Sequence, residues 1–344
     1  MSTVPSRRVT SRDVAARAGV SQATVSLVLS GAPQGRIGPA ARERVLRAAR
    51  ELGYEPNVVA RSLVQGRSFA IGVIVPSLRD PFFADAITGA QRVAREEGYA
   101  VILAEANETA VESTVAMLRG RQIDGVLIDA VGTAMVSPSS LNGLTVVSID
   151  DASGPWPGVM SDAEGAGRLA ARHLLDLGHR QCAFLGPLTE AHAFRLRERG
   201  YTQTLRGAGA TPTSDFVRRV PATVAGGRAG MEALLGMGAR PTAVFCANDL
   251  IAFGALKASA RAGLRVPEQL SIVGCDDIEG AELVTPELTT VAVRPHELGA
   301  RAARMLLQTI AGRAPAKRLK ALEVTLVVRG TTGPPPRRGR RHDH

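Results

Sequence analysis

Gln22, Ala23, Ser26 and Leu27 recur at the spacing of one helix face, and they offer a carboxamide, a hydroxyl and two apolar surfaces to whatever that face meets. Gln22 is the sole long polar side chain among them. A carboxamide donates and accepts at once, which is the pattern adenine presents in a major groove. The hydroxyls of Ser21 and Thr24 and the nearby guanidinium groups of Arg17 and Arg36 suit phosphate oxygens. Elsewhere the reactive residues are sparse. Cys182, Cys246 and Cys275 are far apart, odd in number and set in apolar runs, which predicts buried reduced thiols and neither disulfides nor a metal site. Aromatic residues make up 3% of the chain, so Phe82 and Trp156 stand out as surfaces on which a ring could stack, although Trp156 lies in a Gly-Pro-Trp-Pro-Gly turn. Gly165-Ala-Gly-Arg-Leu-Ala170 matches a dinucleotide fingerprint, yet Asp162 intervenes before the glycines and no acid is clearly placed at the end of the next strand. No Gly-x-Ser-x-Gly elbow, zinc-spaced His or Cys pair or P-loop occurs, so no catalytic residue, metal or cofactor is expected.

The elements that would position these residues are legible at the amino terminus. Thr10 with Asp13 makes a capping-box-like start to a helix running to about Ala18. Gly19-Val20 breaks it, and Ser21 can cap a second helix from Gln22 to about Leu29. Val25, Val28 and Leu29 then face the first helix, which leaves the Gln22 face open to a groove. A third helix runs from Pro39 to Leu52, with Val45, Leu46, Ala49 and Leu52 inward and Arg42, Arg44, Arg47 and Arg50 outward. Charge agrees with this division. Residues 1–67 carry eleven arginines and four acids, a net +7; the last eight residues carry +3, and the 269 between them sum to zero. A basic head on a neutral body predicts that the head meets a polyanion.

From Phe69 onward short apolar runs alternate with helical stretches. Ala70–Val75, Ala100–Ala104, Gly125–Ile128, Thr145–Ile149, Cys182–Leu185, Ala243–Cys246 and Ser271–Gly274 read as buried strands. Asp85–Gly98, Gly165–Leu177, Arg195–Gly207 and Leu250–Gly263 read as helices between them. This βαβ rhythm predicts parallel sheets covered on both faces, and its length predicts two lobes with a ligand between them, outside the carboxyl ends of the strands. At 344 residues the chain suggests two or three domains. It has no apolar run of membrane-spanning length and no h-region behind its first charges, so a cytoplasmic protein without a membrane partner is expected.

Asp13-Val-Ala-x-x-Ala-Gly-Val-Ser-x-x-Thr-Val-Ser26, followed by Arg42-Glu-Arg-Val-Leu-x-x-Ala-x-Glu-Leu-Gly-Tyr54-x-Pro-Asn57 and Ala60-Arg-Ser-Leu63, resembles the amino-terminal signature of the lactose-repressor (LacI/GalR) family of bacterial transcription regulators. Ile71-Gly-Val-Ile-Val-Pro76 with Pro81-Phe82-Phe83, Arg195-Leu-Arg-x-x-Gly-Tyr201, Ala247-Asn-Asp249 and Val273-Gly-Cys-Asp276-Asp277 extend the resemblance through the body to about residue 330.

The resemblance implies a small all-α helix-turn-helix head plus an α/β two-lobed periplasmic-binding-protein-like (type I) sensor domain with parallel sheets. The expected divisions are a head over 1–54, a hinge helix and linker over 55–68, and a body over 69–332. Within the body, lobe 1 takes about 69–161 and 295–322, and lobe 2 about 162–293 and 323–332; a disordered basic tail follows over 333–344. The implied function is a homodimeric repressor of palindromic double-stranded operator DNA, switched by a small effector such as a sugar between the lobes. An exported solute-binding protein and a nucleotide-cofactor enzyme are the alternatives. The DNA-contacting set is Thr10, Arg17, Ser21, Gln22, Ala23, Thr24, Ser26, Leu27, Arg36, Asn57, Ala60 and Leu63. The segment matching Asn57 to Leu63 is implied to fold as a hinge helix on the operator, with Leu63 as a minor-groove wedge. Leu27 departs from the family, where an Arg often sits. The effector set is Phe82, Arg197, Asn248 and Asp276, with Trp156 added as a stacking surface.

Overall fold

Three short helices build the first of two compact units, which divide after Phe69: α1 (Ser11–Ala18), α2 (Gln22–Leu29) and α3 (Pro39–Glu51). The computed structural model describes residues 9–29, 37–54, 62, 66–106, 111–129, 138–151, 154–189, 191–210, 214–313 and 321–336. The Asp13 carboxylate accepts from the Thr10 backbone N–H (2.8 Å) and the Thr10 hydroxyl (2.7 Å), which fixes the start of α1. Gly19 ends it at φ +63°, and Ser21 Oγ accepts from Thr24 N at 3.2 Å to start α2. Val14, Ala15, Ala18, Val25, Val28, Val45, Ala48 and Ala49 form the buried core of this unit. Leu46 is a correction: it was expected inward but is 37% exposed, and Ala48 takes the inward place. The stripe at 45, 48, 49 and 52 keeps the helical repeat, whereas Leu46 lies about 100° off it.

The second unit opens with β1 (Ala70–Val75), α4 (Pro81–Glu96), β2 (Ala100–Glu105), α5 (Val111–Gly120), β3 (Gly125–Asp129), β4 (Thr145–Ile149) and β5 (Gly158–Val159). It continues through α6 (Ala163–Asp176), β6 (Cys182–Pro187), α7 (His192–Gly207), β7 (Val217–Val220), α8 (Val224–Leu235), β8 (Ala243–Cys246) and α9 (Asp249–Arg261). The last elements are β9 (Ser271–Asp276), α10 (Gly280–Leu283), β10 (Thr289–Ala292), α11 (Pro295–Ile310) and β11 (Thr325–Val327). Two sheets result, ordered β2-β1-β3-β4-β5 and β11-β10-β9-β8-β6-β7. All pairings are parallel except β10 with β11, because the chain re-enters the second sheet from the other direction. The strands read from apolar runs are present. β7, Val-Arg-Arg-Val, escaped that reading because an edge strand is half exposed and carries charge. α8 escaped because its glycines argue against a helix in isolation.

Three segments pass between the lobes, and they are bonded to one another. Asp162 N donates to Leu322 O (2.9 Å), Leu322 N donates to Met160 O (2.7 Å), and Arg294, at φ +58°, reaches Glu323 O (2.7 Å). After the second passage α11 packs on α4, β3 and β4, so a helix late in sequence completes the first lobe. The tail expected from residue 333 needs correction at its start. Gly333 N donates to Ser271 Oγ (3.0 Å) and Gly333 O lies 2.8 Å from Nε2 of the buried His179, which ties this residue to the second lobe. Residues 337–344 lie outside the described residues.

Reciprocal glycines set the spacing of three helix pairs. A Cβ on Gly89 would stand 2.0 Å from His296 O, and one on Gly299 1.8 Å from Ala86 O, so α4 and α11 meet backbone to backbone. Gly167 against Arg197 O (1.9 Å) and Gly200 against Glu164 O (2.0 Å) do the same for α6 and α7, as Gly227 and Gly254 do for α8 and α9. Gly299→Ala and Gly167→Ala are therefore expected to lower the unfolding free energy by about 1–3 kcal/mol through overpacking. Gly207→Ala meets open space at a helical φ and should be neutral or stabilising by up to about 1 kcal/mol. Urea denaturation of the three variants measures the contrast; equal midpoints would remove the close-approach account.

Candidate functional site

The carboxyl ends of the strands in both sheets converge on one cleft of about 380 Å³. Asp80, Phe82, Phe83, Asp129 and Asp150 line it from the first lobe, and Ala191, Ala193, Phe194, Arg197, Asn248 and Asp276 from the second. Each polar group arrives by a short local device. Asp80 caps α4, its Oδ1 accepting from Phe82 N at 3.0 Å, with Pro81 in the first turn, so the helix begins before the expected Asp85 and turns Phe82 and Phe83 inward. Asp129 ends β3, and Asp150 follows β4. Asn248 caps α9 through its side-chain oxygen, which accepts from Ile251 N at 3.0 Å. That oxygen was expected to meet a ligand; the cap leaves the amide nitrogen as the group Asn248 can offer.

Arg197 and Asp276 form a buried pair at 2.9 Å, with side-chain exposures of 3% and 7%. Arg197 also donates to Ala247 O at 2.6 Å and lies over the Phe194 ring at 5.3 Å, while its Nε is buried without a hydrogen-bond partner. Burial works against the charge of Arg197, but Asp276, Cys275 and Asp150 together hold its pKa above the ordinary value. Burial raises the Asp276 carboxyl well above the usual carboxylate range; Arg197 opposes that rise, and Asp249 and Asp80 add to it. The Asp80 carboxyl is raised too, mainly by burial.

The backbone at these acids is strained and held from outside. Asp150 sits at φ +53° and Asp276 at φ +129°, followed by Asp277 at +59°. Such conformations cost about 1–3 kcal/mol each and persist where neighbours over-determine them. Asp150 Oδ1 accepts from Ser161 N and Ser161 Oγ, both at 2.7 Å, at the first passage between lobes. After Asp276, Ile278 N donates to Asp249 Oδ2 (3.0 Å) and Arg329 pairs with Asp277 (2.7 Å). Burial lifts the Asp249 carboxyl to about 6, against the bonds it accepts from Thr290 Oγ1 and Ile278 N.

Of the residues expected at the effector site, the structure brings Phe82, Arg197, Asn248 and Asp276 together. Trp156 stands apart, packed on the first lobe's cluster with Ile74, Leu118 and Val146, because its turn follows β4 and folds back over that sheet. Sequence reasoning missed Asp80, Asp129, Asp150 and Phe194. Position at strand carboxyl ends could have found the two acids at 129 and 150. The Gly165–Ala170 fingerprint has a structural account as well: Gly165 N donates to the capping Asp162 (2.8 Å), and Gly167 is the close approach to Arg197 O. The three thiols are buried, and burial pushes Cys182 up to about 11. Among the described residues no group of His, Cys, Asp and Glu could hold a metal ion.

In the first unit, Gln22, Ala23, Ser26 and Leu27 are exposed on one side of α2, while Val25 and Val28 are buried on the other. Gln22 Nε2 donates to Ser11 Oγ at 2.9 Å, which leaves its second amide hydrogen and its oxygen uncommitted by that bond. Ser21 and Thr24 bond each other (2.9 Å), and Thr10 is engaged with Asp13. Arg17 pairs with Glu51 at 2.7 Å in an exposed ion pair of the kind worth little. Arg36, Asn57, Ala60 and Leu63, and with them the expected hinge helix apart from Ser62, lie outside the described residues.

Comparisons with known proteins cover both units. Residues 10–57 match the model of the bacterial regulatory proteins of the lacI family, and residues 171–332 match that of the periplasmic binding protein-like domain. The chain is 34% identical to the transcriptional repressor CytR of Escherichia coli, over 94% of this chain and 96% of that protein. It is 32% identical to the ribose operon repressor of Haemophilus influenzae, over 93% and 97%. The crystal structure of the lac repressor dimer bound to operator and the anti-inducer ONPF aligns with a TM-score of 0.81 at 32% identity, covering 95% of this chain and all of that one. A complex of the transcriptional regulator CelR with cellobiose aligns at 0.72 with the same identity, over 94% of this chain and all of that one.

The buried pair yields a prediction with a defined sign. Arg197→Met leaves Asp276 as a lone buried carboxylate and is expected to lower the unfolding free energy at pH 7 by about 3–5 kcal/mol. Without the guanidinium the folded-state pKa of Asp276 rises further above its unfolded value. Stability from such a carboxyl is whole below the unfolded pKa and is lost as pH rises through the folded one. The deficit against the parent should therefore shrink from pH 7 to pH 5 in denaturant titrations, and a deficit that grew on acidification would contradict the assignment.

Proposed function

The chain belongs to the lacI family of bacterial regulatory proteins, and on that premise we propose how its two units divide the work. It is a DNA-binding transcriptional regulator of the repressor type with an effector-binding body. The exposed face of α2 reads base edges, with Gln22 as its polar reader: one amide hydrogen rests on Ser11, and the other joins the oxygen in a bidentate pair with adenine. Ser21, Thr24, Thr10 and Arg17 serve phosphates, Arg17 by leaving its exposed pair with Glu51. Ala23, Ser26 and Leu27 add small and apolar contacts on the same face. Arg36 adds a further phosphate contact, and Asn57, Ala60 and Leu63 supply the hinge contacts that the sequence implies.

The observation that carries the effector half is the division of one acid-lined cleft between two lobes, with Arg197 and Asp276 on one side and Asp80, Asp129 and Asp150 on the other. A small polyhydroxyl ligand such as a sugar, bridging both sides, favours one disposition of the lobes over another. Coupling to the operator is then about 1–3 kcal/mol, a change of roughly 5–150-fold in DNA affinity. The protein works as a homodimer on dyad-symmetric sites, acts in the cytoplasm and catalyses no reaction. Among the described residues no helix is long and apolar enough to cross a membrane.

Selection of duplexes from a random pool, followed by fluorescence anisotropy on the full chain, tests this reading. Recovered sites should be dyad-symmetric. Gln22→Ala should lose about 1–3 kcal/mol of discrimination at one base pair of each half-site, and Leu63→Ala should lose specific binding while retaining ligand binding. Asp276→Asn should keep operator affinity and lose the response to any monosaccharide that stabilises the parent in a thermal-shift screen. Asymmetric sites, or an unchanged response in Asp276→Asn, would overturn the respective halves.

A further inference from the structure

We propose that the ligand of this cleft is a hydroxylated amine of monosaccharide size, whose ammonium group sits against Asp129 and the neighbouring carboxylates; the proposal rests on the reading of the cleft as the effector site. Four carboxyl groups line the cleft against a single guanidinium, a formal −3 in a space walled otherwise by Phe82, Phe83 and Phe194. Three of the four have a protein partner for one oxygen: Asp80 takes Phe82 N, Asp150 takes Ser161, and Asp276 takes Arg197. None of these partners except Arg197 brings a full positive charge.

Asp80, Asp276 and Arg197 act on one another electrostatically, so the charges form one cluster. The raised pKa values of Asp80 and Asp276 show which way it relaxes when empty, toward taking up protons. A ligand cation supplies the same charge directly, whereas a phosphate ester or carboxylate would face like charges in a poorly solvated space. Independent of the acids, Arg197 Nε is an unpartnered donor on a side chain 3% exposed, at the wall of the cleft. It calls for an acceptor oxygen, which a hydroxyl provides and a simple alkylamine lacks. Amine and hydroxyl on one small skeleton meet both demands.

Titration calorimetry on the full chain, with glucosamine, galactosamine and mannosamine against the parent hexoses and their 6-phosphates, tests the inference. At least one hexosamine should bind ten-fold or more tightly than both its parent sugar and its phosphate. Asp129→Asn should cut that advantage at least several-fold while leaving the neutral sugar's affinity within about two-fold. A neutral or phosphorylated sugar that binds equally well or better overturns the charge inference and leaves the effector cleft standing, as does failure of all nine to bind. Binding that survives Ala193→Phe, which fills the cleft, overturns the effector-cleft reading itself.

Discussion

Arg197 is where the packing of the body and the chemistry of its cleft meet. Its backbone oxygen is the contact against which Gly167 brings α6, and its guanidinium is buried between Asp276 and Ala247 O. A buried ion pair of this kind contributes little net stability once desolvation is counted. Its consequence is positional. With the helix crossing fixed at one end and two charge-assisted bonds at the other, the side chain has one place to be, and the remaining cleft groups are arranged around it.

The same economy governs the acids. Asp80, Asp150 and Asp276 each use one oxygen on the protein, and two of them stand in backbone conformations that L-residues adopt only when held. The holding groups belong to other parts of the chain: Ser161 at a passage between lobes, Asp249 at the start of α9, and Arg329 near the carboxyl terminus. Strain at the cleft is thereby tied to the segments that would have to shift if the lobes moved, which is the physical content of an effector site in this architecture.

The first unit depends on a different constraint. Three helices of 8, 8 and 13 residues are too short to persist alone, so the small core of Val and Ala side chains must hold them. That core uses the stripe at Val45, Ala48 and Ala49, and it leaves the Gln22 face of α2 and even Leu27 and Leu46 outside. A face this poor in long polar groups makes a modest direct reader of bases. Affinity then leans on phosphate contacts and on the cost of deforming the operator.

What the sequence determined by itself was periodic or local: the capped short helices, the apolar strands, the parallel two-lobed body, and Arg197, Asn248, Asp276 and Phe82 as cleft residues. Each of these rests on spacing within about ten residues or on a motif read in place. Tertiary structure alone decided what depends on two distant segments meeting. It placed Asp129 and Asp150 beside Arg197 and set Trp156 apart on the first lobe. It gave Asn248's oxygen to a helix cap and turned a cofactor-like glycine pattern into a helix crossing. A glycine announces freedom of backbone but not which carbonyl will approach it, and an aspartate announces charge but not its neighbours; both are settled only when the chain has closed on itself.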